Sequence, residues 1–308
     1  MTADLGHAGA VTMSNNSVRD LLIVGESLFT NSAVYFGHGT DNAWDEAVCL
    51  LSFALSLGPE VDRSELDRQL SVAENELIKA LYQQRIDQRI PAPYLTGQAW
   101  FCGLPFTVDQ RVIIPRSPIA QLIMCYFQPW LTTEPSRILD LCAGSGCIGI
   151  SCAYGFEDAT VVLSDISTDA LAVAEINIHR HKMLDRVTVI QSDLFCALTE
   201  QCFDLIVCNP PYVDAADLSE MPDEYKHEPP IALASGNDGL DFTRQLLQQA
   251  ADYLTSEGIL IVEVGNSCVA LEAAFPRVPF LWLDFEQGDG GVFLITRDEL
   301  VAHREFFT

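Results

Sequence analysis

The chain of 308 residues is longer than a single ordinary domain needs, and with 49% apolar residues it can bury a sizeable core, so two domains are expected. Its 17 Lys and Arg stand against 43 Asp and Glu, a formal charge of −26 that repels phosphate backbones and excludes a grip on naked nucleic acid. A basic protein partner is instead attracted, although acidic charge of this size also serves solubility alone.

Residues 1–17 carry no Lys or Arg and no long apolar stretch, and read as a loose leader rather than a signal peptide. Apolar spacings of three and four predict a helix over 18–29. Asp41 and Asn42 offer caps to an amphipathic run over 44–57 that Gly58-Pro59 stops, and Ser71 with Glu74 forms a capping box opening a helix over 72–89. These make a small helical bundle over 18–93. Strand character follows over 99–101, 106–108 and 112–114 around a turn at Gly103-Leu104-Pro105, a hairpin linker over 94–117. A helix is expected over 118–130 and a hinge at 132–136. From there strands at 137–141, 160–164, 187–190, 204–208, 259–264, 280–283 and 291–295 alternate with helices, notably 147–154, 168–179 and 240–254. This is an α/β pattern: a mostly parallel sheet covered on both faces, with room for the final strand to run antiparallel. No apolar run is long enough to span a bilayer, so a soluble, cytoplasmic protein with no membrane partner is expected.

Ten cysteines are scattered without a C-x-x-C pair, mostly in apolar runs, which argues against a zinc site and against a disulfide framework. The six histidines form no ligand pattern, and no metal is expected.

Chemistry concentrates at strand ends. After the strand at 137–141 comes Asp140-Leu-Cys-Ala-Gly144-Ser-Gly146-Cys-Ile-Gly149, a glycine turn opening a helix. Such a turn lets backbone approach a ligand while the helix start offers amide hydrogens. In a methyltransferase it faces the methionine part of S-adenosylmethionine, with Asp140 placed to meet the ammonium. The same glycines satisfy a dinucleotide fingerprint, so this motif alone leaves NAD open. Asp165, 19 residues beyond Gly146, suits the ribose hydroxyls, and Asp193 with Leu194 suits the adenine amino group and ring. The motif that decides is Asn209-Pro210-Pro211-Tyr212, directly after the strand at 204–208 and 65 residues beyond Gly144. A carboxamide nitrogen is a poor nucleophile because its lone pair is delocalised. The Asn209 side-chain oxygen and the Pro210 carbonyl can accept its two hydrogens, the prolines can fix both acceptors, and Tyr212 can stack on the flat group. Asn209 is expected to border the cofactor as well. The long acidic stretch over 213–238, with Asp214, Glu220, Asp223, Glu224 and Glu228, reads as a substrate-facing lid.

From about residue 18 to 306 the chain resembles the glutamine methyltransferases that modify translation proteins. Within that family it looks most like the ribosomal branch, which acts on large-subunit ribosomal protein three. The likeness is carried by Tyr35-Phe-Gly-His-Gly-Thr-Asp-Asn-Ala-Trp-Asp-Glu46, Ala99-Trp-Phe-Cys-Gly103, Val112-Ile-Ile-Pro-Arg116-Ser-Pro-Ile119, His227-Glu228-Pro229 and Gly236-Asn-Asp-Gly-Leu240. Ala143 stands where other members often carry Gly or Thr, a small change that disturbs nothing. The resemblance implies a class I S-adenosylmethionine methyltransferase fold, Rossmann-like with a seven-stranded sheet over 118–308, after an N-terminal substrate-recognition domain. It implies that Asn209, Pro210 and Tyr212 bind the target glutamine, with Pro211 and Arg116 near them. It assigns Asp140, Gly144, Gly146, Asp165 and Asp193 to the cofactor, and a basic ribosomal protein as partner. Rival readings are a nucleic-acid amino methyltransferase, a release-factor methyltransferase, an NAD-dependent oxidoreductase and a non-catalytic binding module. The charge weighs against the first, the oxidoreductase leaves Asn209–Tyr212 unexplained, and the intact set of site residues weighs against the binding module.

Overall fold

The computed structural model describes residues 16–58, 61–285 and 290–307. Residues 1–15 of the leader and Pro59 of the Gly-Pro stop lie outside them. Two compact units are present, one over 16–36 and 40–95, the other comprising 37–39 and residues from Thr96 onward.

The first unit is built from capped helices. Ser17 and Asp20 form a capping box that opens α1 (Val18–Thr30), so the last two residues assigned to the leader belong to that helix start; Asn16 also donates to the Leu70 carbonyl. Asn42 caps α2 (Ala43–Ala54), and the expected box of Ser71 with Glu74 opens α3 (Val72–Gln88). The second helix stops short of 57 because Ser56 turns left-handed and Leu57 N–H returns to the Ser52 carbonyl. Leu21, Leu22, Leu50, Leu51, Ile78 and Tyr82 are buried between the three. A Cβ at Gly25 would lie 2.7 Å from the Tyr82 ring, so glycine is what lets the helices approach. Arg85, fully buried, pairs with Glu46 and donates to the Tyr35 carbonyl at 2.8 Å. A short α4 (Ala92–Thr96) follows.

The second unit opens with an antiparallel hairpin, β1 (Gln98–Phe101) and β2 (Leu104–Thr107). Its turn is Cys102-Gly103, both at positive φ, as a two-residue hairpin turn demands; Leu104 and Pro105, expected in the turn, lie in the strand. The hairpin is held by buried Asn177, which accepts from Thr107 N–H at 2.7 Å and donates to Ser145 O at 2.9 Å. Residues 112–114 form no strand, since the Ile114 N–H is taken by the Glu228 side chain instead of a neighbouring strand. The helix expected over 118–130 is only α5 (Ile119–Met124), because Tyr126 and Phe127 adopt positive φ and turn the chain away.

Beyond it run β3 (Arg137–Leu141), α6 (Cys147–Gly155), β4 (Thr160–Asp165), α7 (Thr168–His181), β5 (Val187–Gln191), β6 (Phe203–Cys208), α8 (Ala215–Glu220), α9 (Asp241–Gln249), β7 (Leu254–Glu263), α10 (Cys268–Ala274), β8 (Leu281–Trp282), β9 (Val292–Thr296) and α11 (Arg297–Ala302). The seven-stranded sheet has the order β5-β4-β3-β6-β7-β9-β8, parallel except for β9, which runs antiparallel to both neighbours. This is the doubly wound, Rossmann-like arrangement of a class I S-adenosylmethionine methyltransferase. Ile138, Val161, Leu205 and Ile261 share one core cluster with residues of α6; Leu139, Leu141, Ile206 and Val262 share another with residues of α9 and α11. Residues alternating along each strand thus enter opposite halves of the core. Strand order reverses between β3 and β6, so the loops at their carboxyl ends splay apart and leave a crevice there.

Candidate active site

The glycine turn after β3 sits at that reversal. Gly144 and Gly146 both have positive φ, at 55° and 77°. The three glycines answer to different constraints. A Cβ on Gly144 would meet nothing within 4 Å, whereas on Gly146 it would lie 2.8 Å from Leu163 and on Gly149 2.3 Å from the same side chain. The first glycine leaves backbone open to a ligand; the other two let α6 press against β4.

Asp140 is buried at the end of β3. Its Oδ2 accepts from Gly149 N–H at 2.7 Å, which braces the turn, while Oδ1 is buried with no hydrogen-bond partner among the described residues. Burial pushes this carboxyl up to about 7; the Gly149 donor opposes the shift and the charge of Asp165 adds to it. Asp165, at the end of β4, accepts from Gly144 N–H at 3.0 Å and Ser167 N–H at 2.9 Å. Burial raises its carboxyl despite those donors.

A cavity of about 300 Å³ opens beside these groups, lined by Gly144, Asp165, Asp193, Leu194, Asn209 and Pro211, among others. These residues come from four loops, after β3, β4, β5 and β6, each with its own sequence signal, and the fold brings them to one cavity. Asp140, Gly146, Pro210, Tyr212 and Arg116 are not part of the lining. Leu194 is buried with φ of 48°, which turns the backbone between Asp193 and the following helix-like turn.

Asn209 follows β6 directly, and its Oδ1 is buried without a partner among the described residues. Pro210 is buried and Tyr212 half-buried. The Tyr212 hydroxyl donates to Glu263 Oε1 at 2.7 Å, its carbonyl accepts from Ser267 Oγ at 2.8 Å, and its ring lies flush on Gly265. Burial and the neighbouring carboxylate hold that phenol well above its ordinary range.

Arg116 makes a two-pronged pair with Glu228, at 2.6 and 2.7 Å, and lies 5.4 Å from the Tyr225 ring centre. The Glu228 side chain is 0% exposed and also stands 3.8 Å from His38 Nε2. Burial alone raises a carboxyl, but here the Arg116 charge and the bonds from His38 and Arg116 outweigh it and bring Glu228 down to about 2. Within the stretch 213–238, expected to face the substrate, Asp214 caps α8, Glu224 and Glu228 are buried, and Val213 bridges to Ala234. Its Pro229, Ile231 and Ser235 line the cavity, while Glu220 and Asp223 are exposed.

Sequence reasoning missed Arg111, Ile113, Ile166 and Phe242 in the lining, and Glu263 behind it. Ile166 had a signal, an apolar residue directly after Asp165 that is 49% exposed. Glu263 had one too, an acid inside the apolar run of β7. Arg111 and Phe242 had none, since only folding brings them near. No group of three or more His, Cys, Asp or Glu that could hold a metal ion occurs among the described residues, and all ten cysteines are free. No helix among those residues is long and apolar enough to cross a membrane.

Residues 122–222 match the family described as the methyltransferase small domain. The chain is 49% identical to the ribosomal protein uL3 glutamine methyltransferase of Francisella tularensis subsp. tularensis, covering 95% of this chain and 94% of that protein. It is 47% identical to the protein of the same description from Neisseria gonorrhoeae, over 93% and 96% respectively. A solved ribosomal protein L11 methylase from Lactobacillus delbrueckii subsp. bulgaricus is 20% identical, with a TM-score of 0.42 over 59% of this chain and 80% of that one.

Proposed function

The chain belongs to the ribosomal protein uL3 glutamine methyltransferase family, and we propose that it methylates the side-chain nitrogen of a glutamine in uL3 with the cavity between the β3 and β6 loops. One observation carries the residue assignment. A buried side-chain amide oxygen, Asn209 Oδ1, stands without a partner among the described residues, on a residue that lines the same cavity as Gly144 of the glycine turn. A buried acceptor left unpaired costs about 1–3 kcal/mol, so its natural partner is a ligand donor.

The residues fit S-adenosylmethionine. The unpaired Oδ1 of Asp140 suits an ammonium, the open face of Gly144 suits close approach, and Asp165 offers lone pairs to ribose hydroxyls beyond those its backbone donors use. Asp193 and Leu194 suit adenine, the first as acceptor and the second as an apolar face, with Ile166 beside them. When bound, the cofactor supplies an electrophilic methyl carbon on a sulfonium.

Asn209 Oδ1 and the Pro210 carbonyl accept the two amide hydrogens of the target, which holds the nitrogen in place and helps localise its lone pair. Pro211 and the buried Pro210 stiffen that loop, and Tyr212 flanks the flat group from outside the cavity. Neither acceptor has to remove a proton, because the nitrogen loses one readily once alkylated. Arg116 acts at a distance, by fixing the segment that carries Ile113. The charge of −26 suits a basic protein substrate, and ten free thiols suit the cytoplasm.

The test is methyl transfer from labelled S-adenosylmethionine to purified uL3, with the modified peptide read by mass spectrometry. Asn209→Ala should lower kcat about 100-fold or more while cofactor affinity stays within about threefold. Transfer at a comparable rate, or label on a residue other than glutamine, would overturn the assignment.

A further inference from the structure

The end of β7 carries a group that the proposed mechanism does not use. Glu263 is buried at the end of an interior strand, where an apolar side chain would pack at less cost, since a buried carboxylate is unfavourable unless fully paired. Both oxygens are engaged. Oε1 accepts from the Tyr212 hydroxyl at 2.7 Å and Oε2 from the Ser117 hydroxyl at 2.6 Å. An ionised carboxylate accepts from both hydroxyls at once. A protonated or amidated group turns a hydrogen toward one of them, which must then accept instead of donate.

The position of Glu263 gives this pairing its meaning. Cys208 of β6 pairs with Val262 of β7, so Asn209 and Glu263 are the next residues along two adjacent parallel strands. From there Glu263 reaches the far end of the Asn-Pro-Pro-Tyr loop. Tyr212 is then fixed on three sides: its hydroxyl by Glu263, its carbonyl by Ser267 at 2.8 Å, and its ring by Gly265, where a Cβ would intrude to 2.6 Å. The loop is thus tied at one end by β6 and at the other by this carboxylate.

We propose that Glu263 is a positioning residue for methyl transfer, acting through Tyr212 to hold the Asn209–Tyr212 loop in the geometry that receives the target amide. It neither lines the cavity nor contributes to the cofactor wall. This inference rests on the assignment of Asn209 to the target amide. Burial raises the Glu263 carboxyl, and the Ser117 and Tyr212 bonds and the Arg116 charge oppose that shift.

The experiment is a double-mutant cycle on the full chain with uL3, using Glu263→Gln, Tyr212→Phe and the pair, with Asn209→Ala alongside. Glu263→Gln keeps the shape but cannot accept from both hydroxyls, and should lower kcat about ten- to hundredfold. Cofactor affinity, measured by calorimetry, should stay within about twofold, because no cofactor-facing residue is touched. Tyr212→Phe should cause a similar fall, and the double variant should be no slower than either single one, since both remove the same contact. An unchanged kcat in Glu263→Gln, or losses that multiply in the pair, would overturn the proposal while the Asn209 result stands. Loss of cofactor binding in Glu263→Gln would also overturn it, marking the residue as a general support of the fold. If Asn209→Ala transfers normally, the underlying assignment fails and this inference falls with it.

Discussion

Replacing Glu228 by Gln isolates the charge of a buried carboxylate paired with Arg116 in the second unit. The Gln side chain can still accept from Ile114 N–H, as Glu228 Oε1 does at 2.9 Å, but it cannot balance the Arg116 guanidinium. A carboxyl lowered from its ordinary 4.5 to about 2 represents about 3 kcal/mol of folding free energy. Removing one member of a buried pair costs about 3–5 kcal/mol, and the Arg116 side chain, 25% exposed, recovers some hydration, which keeps the loss near the lower end. The folded value lies below the unfolded one. The stabilisation is therefore complete above about pH 4.5 and disappears as the pH falls toward 2. Urea unfolding followed by tryptophan fluorescence measures it, since Trp100, Trp130 and Trp282 all lie in the second unit. The Gln variant should be about 3 kcal/mol less stable at pH 7, and the gap should narrow steadily below pH 4.5. A difference under about 1 kcal/mol at pH 7, or one that stays constant down to pH 3, would refute the reasoning.

Two further predictions concern the cofactor wall. Asp165→Ala removes both the proposed ribose acceptor and the brace on Gly144 N–H. Calorimetry should show cofactor affinity weakened about tenfold or more, with no such change if the carboxylate only caps a turn. Gly149→Ala places a methyl group 2.3 Å from Leu163 and 2.9 Å from the Asp140 Cβ. Overpacking of this kind should cost about 1–3 kcal/mol, read as a fall in melting temperature; an unchanged melting temperature would show that α6 can shift away from β4 freely.

The sequence by itself determined the features that depend on neighbours along the chain. Helix starts at Asn42 and Ser71 were readable because a capping side chain bonds to backbone three residues on. The parallel strands were readable because a strand buried on both faces must be continuously apolar. The glycine turn was readable because Gly144 and Gly146 take positive φ, which favours glycine, and the Asn209–Tyr212 loop because it stands as one run of neighbours directly after a strand. Tertiary structure decided whatever joins distant segments. Residues 112–114 look like a strand, yet their donor goes to Glu228, 114 residues away from Ile114. Glu228 is one acid among several over 213–238 until Arg116 meets it across 112 residues. Tyr212 and Glu263 are separated by 51 residues, and Ser117 and Glu263 by 146. Backbone conformation is set by local sterics and hydrogen bonding, which a short window of sequence records. The pairing of a buried charge is set by which segments the sheet order brings together, and a linear pattern holds no record of that.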